Sequence, residues 1–244
     1  MRVVVPFHQD ERLPAGDLPV DADVTVAPEL PAGDVWTRLA ALYEAVAVAV
    51  AGGDRPLVVS GDCLVSAGVL AGTQRAGHDP AVVWFDAHGD VHTLESSTSG
   101  YLGGLSLRLL LGAHRELLAD RIGLTPLTED RALLVDARDL DPAEAAYLHR
   151  SAIRRSTVDD LGTLPDGPLL LHVDVDVLDR AELAGLRFPV GDGPRAERVR
   201  AALASVIGTG RVVAFDVACP WHPARPGEER ERTALLAALA DLWE

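Results

Sequence analysis

Two short strings concentrate the side chains able to do chemistry: Asp86-Ala87-His88-Gly89-Asp90 and Asp174-Val175-Asp176, each directly after an apolar, β-rich run. Strand periodicity points Asp86, His88 and Asp90 to one face, and Asp174 and Asp176 likewise, with Ala87, Gly89 and Val175 turned away. Four carboxylates and an imidazole gathered in this way repel one another unless cations lie among them. An oxygen-rich donor set with one imidazole suits Mn²⁺, Mg²⁺ or Fe²⁺ better than a closed structural zinc cage. Two metals that share bridging carboxylates ionise a bound water near neutral pH. The strings therefore point to a metal-dependent hydrolase.

Strands and helices must hold these residues in place. Apolar, β-rich runs occur at 3–5, 24–26, 57–59, 81–85, 132–135, 169–173 and 212–215, with a weaker one near 152–154. Helical spacing at 34–51, 63–76, 102–111, 142–149, 194–207 and 231–243 separates most of them. The first helix opens on the cap-competent Asp34 and stops at Gly52-Gly53. Continuous apolar strands alternating with helices predict an α/β fold with a parallel sheet covered on both faces. Ligands of such sheets gather beyond the carboxyl ends of the strands. Asp86, Asp174, Asp216 and the Gly61-Asp62-Cys63 turn all fall on that edge, and the loops 95–100, 179–193 and 220–227 border it. By strand periodicity His172 faces the same side as Asp174 and is expected to hydrogen-bond a ligand residue, while Asp179 is expected to cap its loop.

Composition narrows the partners. With 244 residues and 48% hydrophobic content the chain supports one full core, so a single α/β domain over 1–244 is expected. A formal net charge of −15 repels a phosphate backbone, which argues against nucleic acid. No run reaches a membrane span, and the first residues carry no signal-peptide pattern, so a cytoplasmic location is expected. The two cysteines, Cys63 and Cys219, form no secreted framework. There is no Lys and no Asn, which excludes a P-loop, a Schiff-base lysine and an N-glycosylation acceptor.

Asp-Ala-His-Gly-Asp after one strand, His172-Val-Asp-Val-Asp-Val-Leu-Asp179 after another, and Ser60-Gly61-Asp62-Cys63 upstream resemble the three metal-ligand motifs of the arginase/agmatinase (ureohydrolase) family, in order and spacing, over roughly 55–223. The resemblance implies a three-layer α/β/α sandwich around a mostly parallel sheet of about eight strands. It implies a small-molecule guanidino substrate, a binuclear Mn²⁺ site that activates water for attack on the guanidinium carbon, and a homo-oligomer. Cys63, Asp86, His88, Asp90, Asp174 and Asp176 then take the ligand positions, Asp90 also contacting the attacking oxygen, and Ser99 a substrate-contacting position.

Several positions depart from the family pattern. Cys63 stands where the family has His, a softer donor that favours Zn²⁺, Fe²⁺ or Co²⁺ relative to Mn²⁺. Gly103 takes the place of a proton-shuttling His, leaving His92 or water to deliver the proton. His92 itself replaces an Asn that reads the substrate's amino acid end, and Cys219 replaces a Glu that pairs with the guanidinium. A Cys first ligand, the Gly100-Tyr101-Leu102-Gly103-Gly104 stretch and the Phe188-to-Gly193 turn resemble the Nω-hydroxy-arginine amidinohydrolase branch, whose hydroxyguanidine substrate needs less acid catalysis. The expectation is a hydrolase of a non-peptide C–N bond in a small guanidino or hydroxyguanidino compound. The alternatives are a degenerate relative that only binds a metal or ligand, and a deacetylase-like zinc hydrolase using one Asp-His-Asp site.

Overall fold

The computed structural model describes residues 1–244. In chain order its strands are β1 (Arg2–Val5), β2 (Phe7–His8), β3 (Glu11–Arg12), β4 (Val24–Thr25), β5 (Leu57–Ser60), β6 (Ala81–Asp86), β7 (Ala132–Asp136), β8 (Arg154–Ser156), β9 (Leu169–Asp174) and β10 (Val212–Ala218). Its helices are α1 (Val35–Ala51), α2 (Ser66–Arg75), α3 (Ser106–Leu110), α4 (Pro142–Arg150), α5 (Ala196–Ile207) and α6 (Glu228–Ala240). Eight strands form one sheet in the order β4-β1-β5-β10-β9-β6-β7-β8, and every neighbouring pair is parallel. All eight runs expected from the sequence are strands of this sheet.

Continuous apolar strands alternate their side chains between two cores. Val82, Trp84, Leu134 and Leu170 pack beneath α1 to α4, and Val83, Phe85, Leu171 and Phe215 beneath α5 and α6. This is the three-layer sandwich that burial of both sheet faces demands. The Asp34 carboxylate accepts from the Thr37 backbone N–H at 2.8 Å and opens α1, which ends at Gly52.

Three local differences matter for the site. The β2–β3 hairpin was not expected; its strands are two residues long and carry no periodic signal. The run 102–111 is not one helix but a short 3₁₀ turn at Gly103–Leu105 followed by the five-residue α3. Strand β10 runs three residues past Phe215, to Ala218, so Asp216 lies inside the sheet and not on its edge.

Candidate metal centre

The central strands β5, β10, β9 and β6 end side by side, and their carboxyl ends carry the chemistry. Beyond β5, the Asp62 carboxylate accepts from Leu64 N–H at 2.8 Å, which turns the chain into the 3₁₀ segment holding Cys63. Gly61 is required there, because a Cβ would collide with the Phe7 carbonyl, whose oxygen accepts the Gly61 N–H at 3.0 Å. The N-terminal hairpin thus clamps the cysteine turn, with His8 Nδ1 lying 2.9 Å from the Gly61 carbonyl oxygen and Gln9 N–H donating to Asp62.

Convergence after β6 and β9 does not follow strand alternation, contrary to the sequence expectation. Strand β6 ends at Asp86, whose carboxylate accepts from His88 N–H at 2.7 Å, and Asp90 sits in the left-handed region at φ 52°. That conformation costs a non-glycine residue roughly 1–3 kcal/mol and turns the Asp90 carboxylate back toward Asp86. Strand β9 likewise ends at Asp174, which accepts from Asp176 N–H at 2.8 Å and caps a 3₁₀ turn. Tight Asp-capped turns therefore bring these residues together.

The result is a cavity of about 220 Å³ with Cys63, His88, Asp90, Asp174 and Asp176 at its floor. Donor atoms of Cys63, Asp86 and Asp90 lie within 4.8 Å of one another, as do those of Asp86, His88 and Asp176. Asp86 belongs to both groups. Cys63 Sγ donates to Asp174 Oδ2 at 2.8 Å, and His88 Nδ1 lies 3.3 Å from Asp86 and 3.2 Å from Asp176.

Charge is crowded on this floor. Burial, then the charges of Asp86 and Asp174, pushes the Asp90 carboxyl well above its usual range, and burial with Asp176 and Asp86 does the same to Asp174. Asp176 rises to about 6, from burial and the Asp86 charge. Burial pulls the His88 imidazole down, but hydrogen bonds and charge from Asp176 and Asp86 outweigh it and lift it to about 12. Burial also opposes ionisation of Asp86, yet His88 and the Trp84 indole hold it below the usual carboxylate range. Asp90 Oδ2 is buried and has no hydrogen-bond partner. Oxygen donors that trap protons or stand unpartnered fit divalent cations, which would replace those protons.

The wall is different. His92 Nε2 lies 2.9 Å from Asp141 and 4.0 Å from Glu144, and His92 Nδ1 lies 3.0 Å from Ser96 Oγ. Asp141 and Glu144 form a capping box at the start of α4, and Glu144 also accepts from Val91 N–H at 3.3 Å. Ser99, Tyr101, Gly103, Gly104, Asp139, Phe188 and Pro220 complete the lining. The sequence singled out none of Asp139, Asp141 and Glu144, and it marked Tyr101 only as part of the 100–104 stretch. A usable signal existed for the acids, since Asp141-Pro142-Ala143-Glu144 is a capping box soon after a strand end on the ligand-binding edge.

Two expected positions fall elsewhere. Cys219 is buried in the core facing α5 and α6, and its neighbour Pro220 reaches the cavity instead. His172 does not bond a residue of the floor; its Nδ1 lies 2.7 Å from Asp216 Oδ2, and its ring stacks on Trp84 at 3.6 Å. It is Trp84 Nε1 that donates to Asp86, at 3.1 Å. Asp179 caps its loop as expected, accepting from Ala181 and Gly193 N–H at 2.8 and 2.9 Å.

Residues 5–240 match the sequence profile described as the arginase family. The chain belongs to the arginase family. It is 32% identical over 153 residues to an arginase of Bacillus subtilis, a match spanning 57% of this chain and about half, 52%, of that relative. It is 29% identical over 204 residues to an N(omega)-hydroxy-L-arginine amidinohydrolase of Streptomyces lavendulae, covering 81% of this chain and 72% of the relative. Among solved structures, an arginase from Bacillus caldovelox superposes with a TM-score of 0.79 at 22% identity, over 99% of this chain and 97% of that one. The sheet and its flanking helices thus have the arginase-like α/β fold.

Proposed function

We propose that the chain is a metal-dependent hydrolase that cleaves a non-peptide C–N bond of a small guanidino or hydroxyguanidino compound. The observation that carries this reading is the pair of donor groups sharing Asp86, at the floor of a cavity whose 15 lining residues include five aspartates, one glutamate and no arginine. Such a wall favours a cationic substrate. Cys63, Asp86, His88, Asp90, Asp174 and Asp176 would hold two divalent ions, Mn²⁺ foremost, with Zn²⁺, Fe²⁺ or Co²⁺ admitted by the Cys63 thiolate. When bound, such ions ionise water near neutral pH and polarise the carbon under attack.

The chain's own groups do the rest. Asp90 accepts a proton or hydrogen bond at its free Oδ2. Asp141 and Glu144, steadied by the capping box and by His92, hold the substrate's far, positively charged end. Ser99, on the rim, contacts the substrate beside them. The same proposal takes residues 1–244 as one domain, located in the cytoplasm and assembling as a homo-oligomer; no helix is long and apolar enough to cross a membrane.

Elemental analysis after loading, combined with assays for urea, hydroxyurea and amine release from a panel of guanidines and hydroxyguanidines, tests the reading. Two metals per chain and turnover of one class are expected. Metal without turnover supports the binding-protein reading. One zinc with amide hydrolysis supports the deacetylase-like reading.

A further inference from the structure

Cleavage of a C–N bond leaves an electron pair on the departing nitrogen, and a hydrogen-bond donor placed there lowers the barrier. The cavity wall holds one that the sequence did not single out. A Cβ built on Gly103 would lie 2.6 Å from Tyr101 Cζ and 2.7 Å from its hydroxyl oxygen, so the Tyr101 phenol fills the space a side chain at 103 would take. The ring is fixed from outside by His8, stacked at 5.8 Å, and by Phe188 at 4.5 Å, while Ser99 Oγ accepts the Tyr101 backbone N–H at 3.2 Å.

Tyr101 and Gly103 both line the cavity, and the Tyr101 hydroxyl beside Gly103 makes no hydrogen bond within the protein, whereas the neighbouring protic groups are engaged. Cys63 Sγ donates to Asp174, His88 Nδ1 lies between Asp86 and Asp176, and His92 has one ring nitrogen on Asp141 and the other on Ser96. Burial favours the protonated phenol, and a tyrosine at its ordinary pKa near 10 is already an O–H donor at neutral pH.

We propose that Tyr101 is a catalytic residue whose hydroxyl donates a hydrogen bond to the nitrogen leaving the substrate carbon. This rests on the hydrolase reading above. The oxygen of water bonds to the carbon, the C–N bond breaks, and the nitrogen keeps the electron pair. A proton of the attacking water ends on that nitrogen, and Tyr101 retains its own.

Tyr101→Phe keeps the ring and its packing and removes only the donor. In the metal-loaded protein it is expected to leave metal stoichiometry and Tm unchanged, to lower kcat about 100-fold, and to hold KM within about twofold. A kcat within about twofold of the parent overturns the proposal. Should the parent cleave no member of the panel, the hydrolase reading fails on that result alone. Tyr101 is then judged by calorimetric binding of neutral N-hydroxyguanidine to the loaded protein: about tenfold weaker binding in Tyr101→Phe supports the donor, and equal affinity overturns it. Gly103→Ala checks the geometry separately. It should lower Tm by about 4 °C in the parent and by much less in a Tyr101→Ala background; equal losses in both would place the phenol elsewhere.

Discussion

The floor and the wall of one cavity are both acidic, yet they crowd their charges to different degrees. Asp141 and Glu144 on the wall accept backbone N–H groups at a helix start, Asp141 also lies 2.9 Å from His92, and burial pushes Glu144 up. Asp90, Asp174 and Asp176 on the floor are buried among like charges; backbone N–H groups reach Asp174 and Asp176, joined by a thiol and one imidazole, yet all three carboxyls are pushed up and Asp90 Oδ2 has no partner. The difference is one of degree: the wall acids are tied into a helix start, and the floor acids crowd charge on charge.

Substitution should separate the two regions most sharply at Asp86, which both donor groups share. Asp86→Ala is expected to weaken metal binding more than about 100-fold, judged against the roughly 10–100-fold typical of outer partners, while far-UV circular dichroism stays unchanged. Equal metal retention would dissolve the distinction.

Chelator-treated protein gives the next largest effect. Asp176, raised to about 6, adds stability that is present below its ordinary pKa near 3.8 and lost as pH climbs toward 6. His88, raised from 6.5 to about 12, adds stability that is present below 6.5 and lost progressively above it. Both slopes have the same sign, so metal-free protein should melt at lower temperature as pH rises from 4 to 8. Saturating Mn²⁺ at about 100 times its Kd should add about 2.7 kcal/mol and flatten that slope. Calorimetric scans of loaded and stripped samples across this range check it; a stripped protein that grows more stable with pH would reverse the argument.

Cys63→His sharpens the picture within the floor. An imidazole in place of the thiol should tighten Mn²⁺ by about tenfold relative to Zn²⁺, because Mn²⁺ is the harder acid. Competition dialysis measures the ratio, and weaker Mn²⁺ retention would remove Cys63 from the donor set. The smallest effect belongs to the wall. Glu144→Gln puts an amide where carboxylate oxygens accept from Val91 and Asp141 N–H, so it should cost about 1 kcal/mol in thermal unfolding with metal content unchanged.

The sheet was legible because its strands are buried on both faces and read as unbroken apolar runs such as Leu169–Val173. The hairpin at Phe7–Arg12 was not, since its two-residue strands are set by what they clamp, the Gly61 turn. Grouping Asp86, His88, Asp90, Asp174 and Asp176 needed only their types and their place after strands. The reason they meet was misjudged, because Asp-capped turns and a left-handed Asp90 replace strand alternation. His172 was misplaced through the length of β10, whose extension buries Asp216 as its partner. Tyr101 stood in the quoted 100–104 stretch without a role of its own, because its placement depends on the emptiness of Gly103 two residues away.

The strand order has a consequence for how such a protein is made. Strand β10, the last strand in the chain, lies in the middle of the sheet and joins the half that carries Cys63 to the half that carries Asp86 and Asp174. Until the ribosome has released residue 218, those halves have no shared hydrogen-bonded ladder. The donor group of Asp86, His88 and Asp176 is complete within the β6–β9 half, whereas the group that adds Cys63 is assembled only when β10 has closed the sheet.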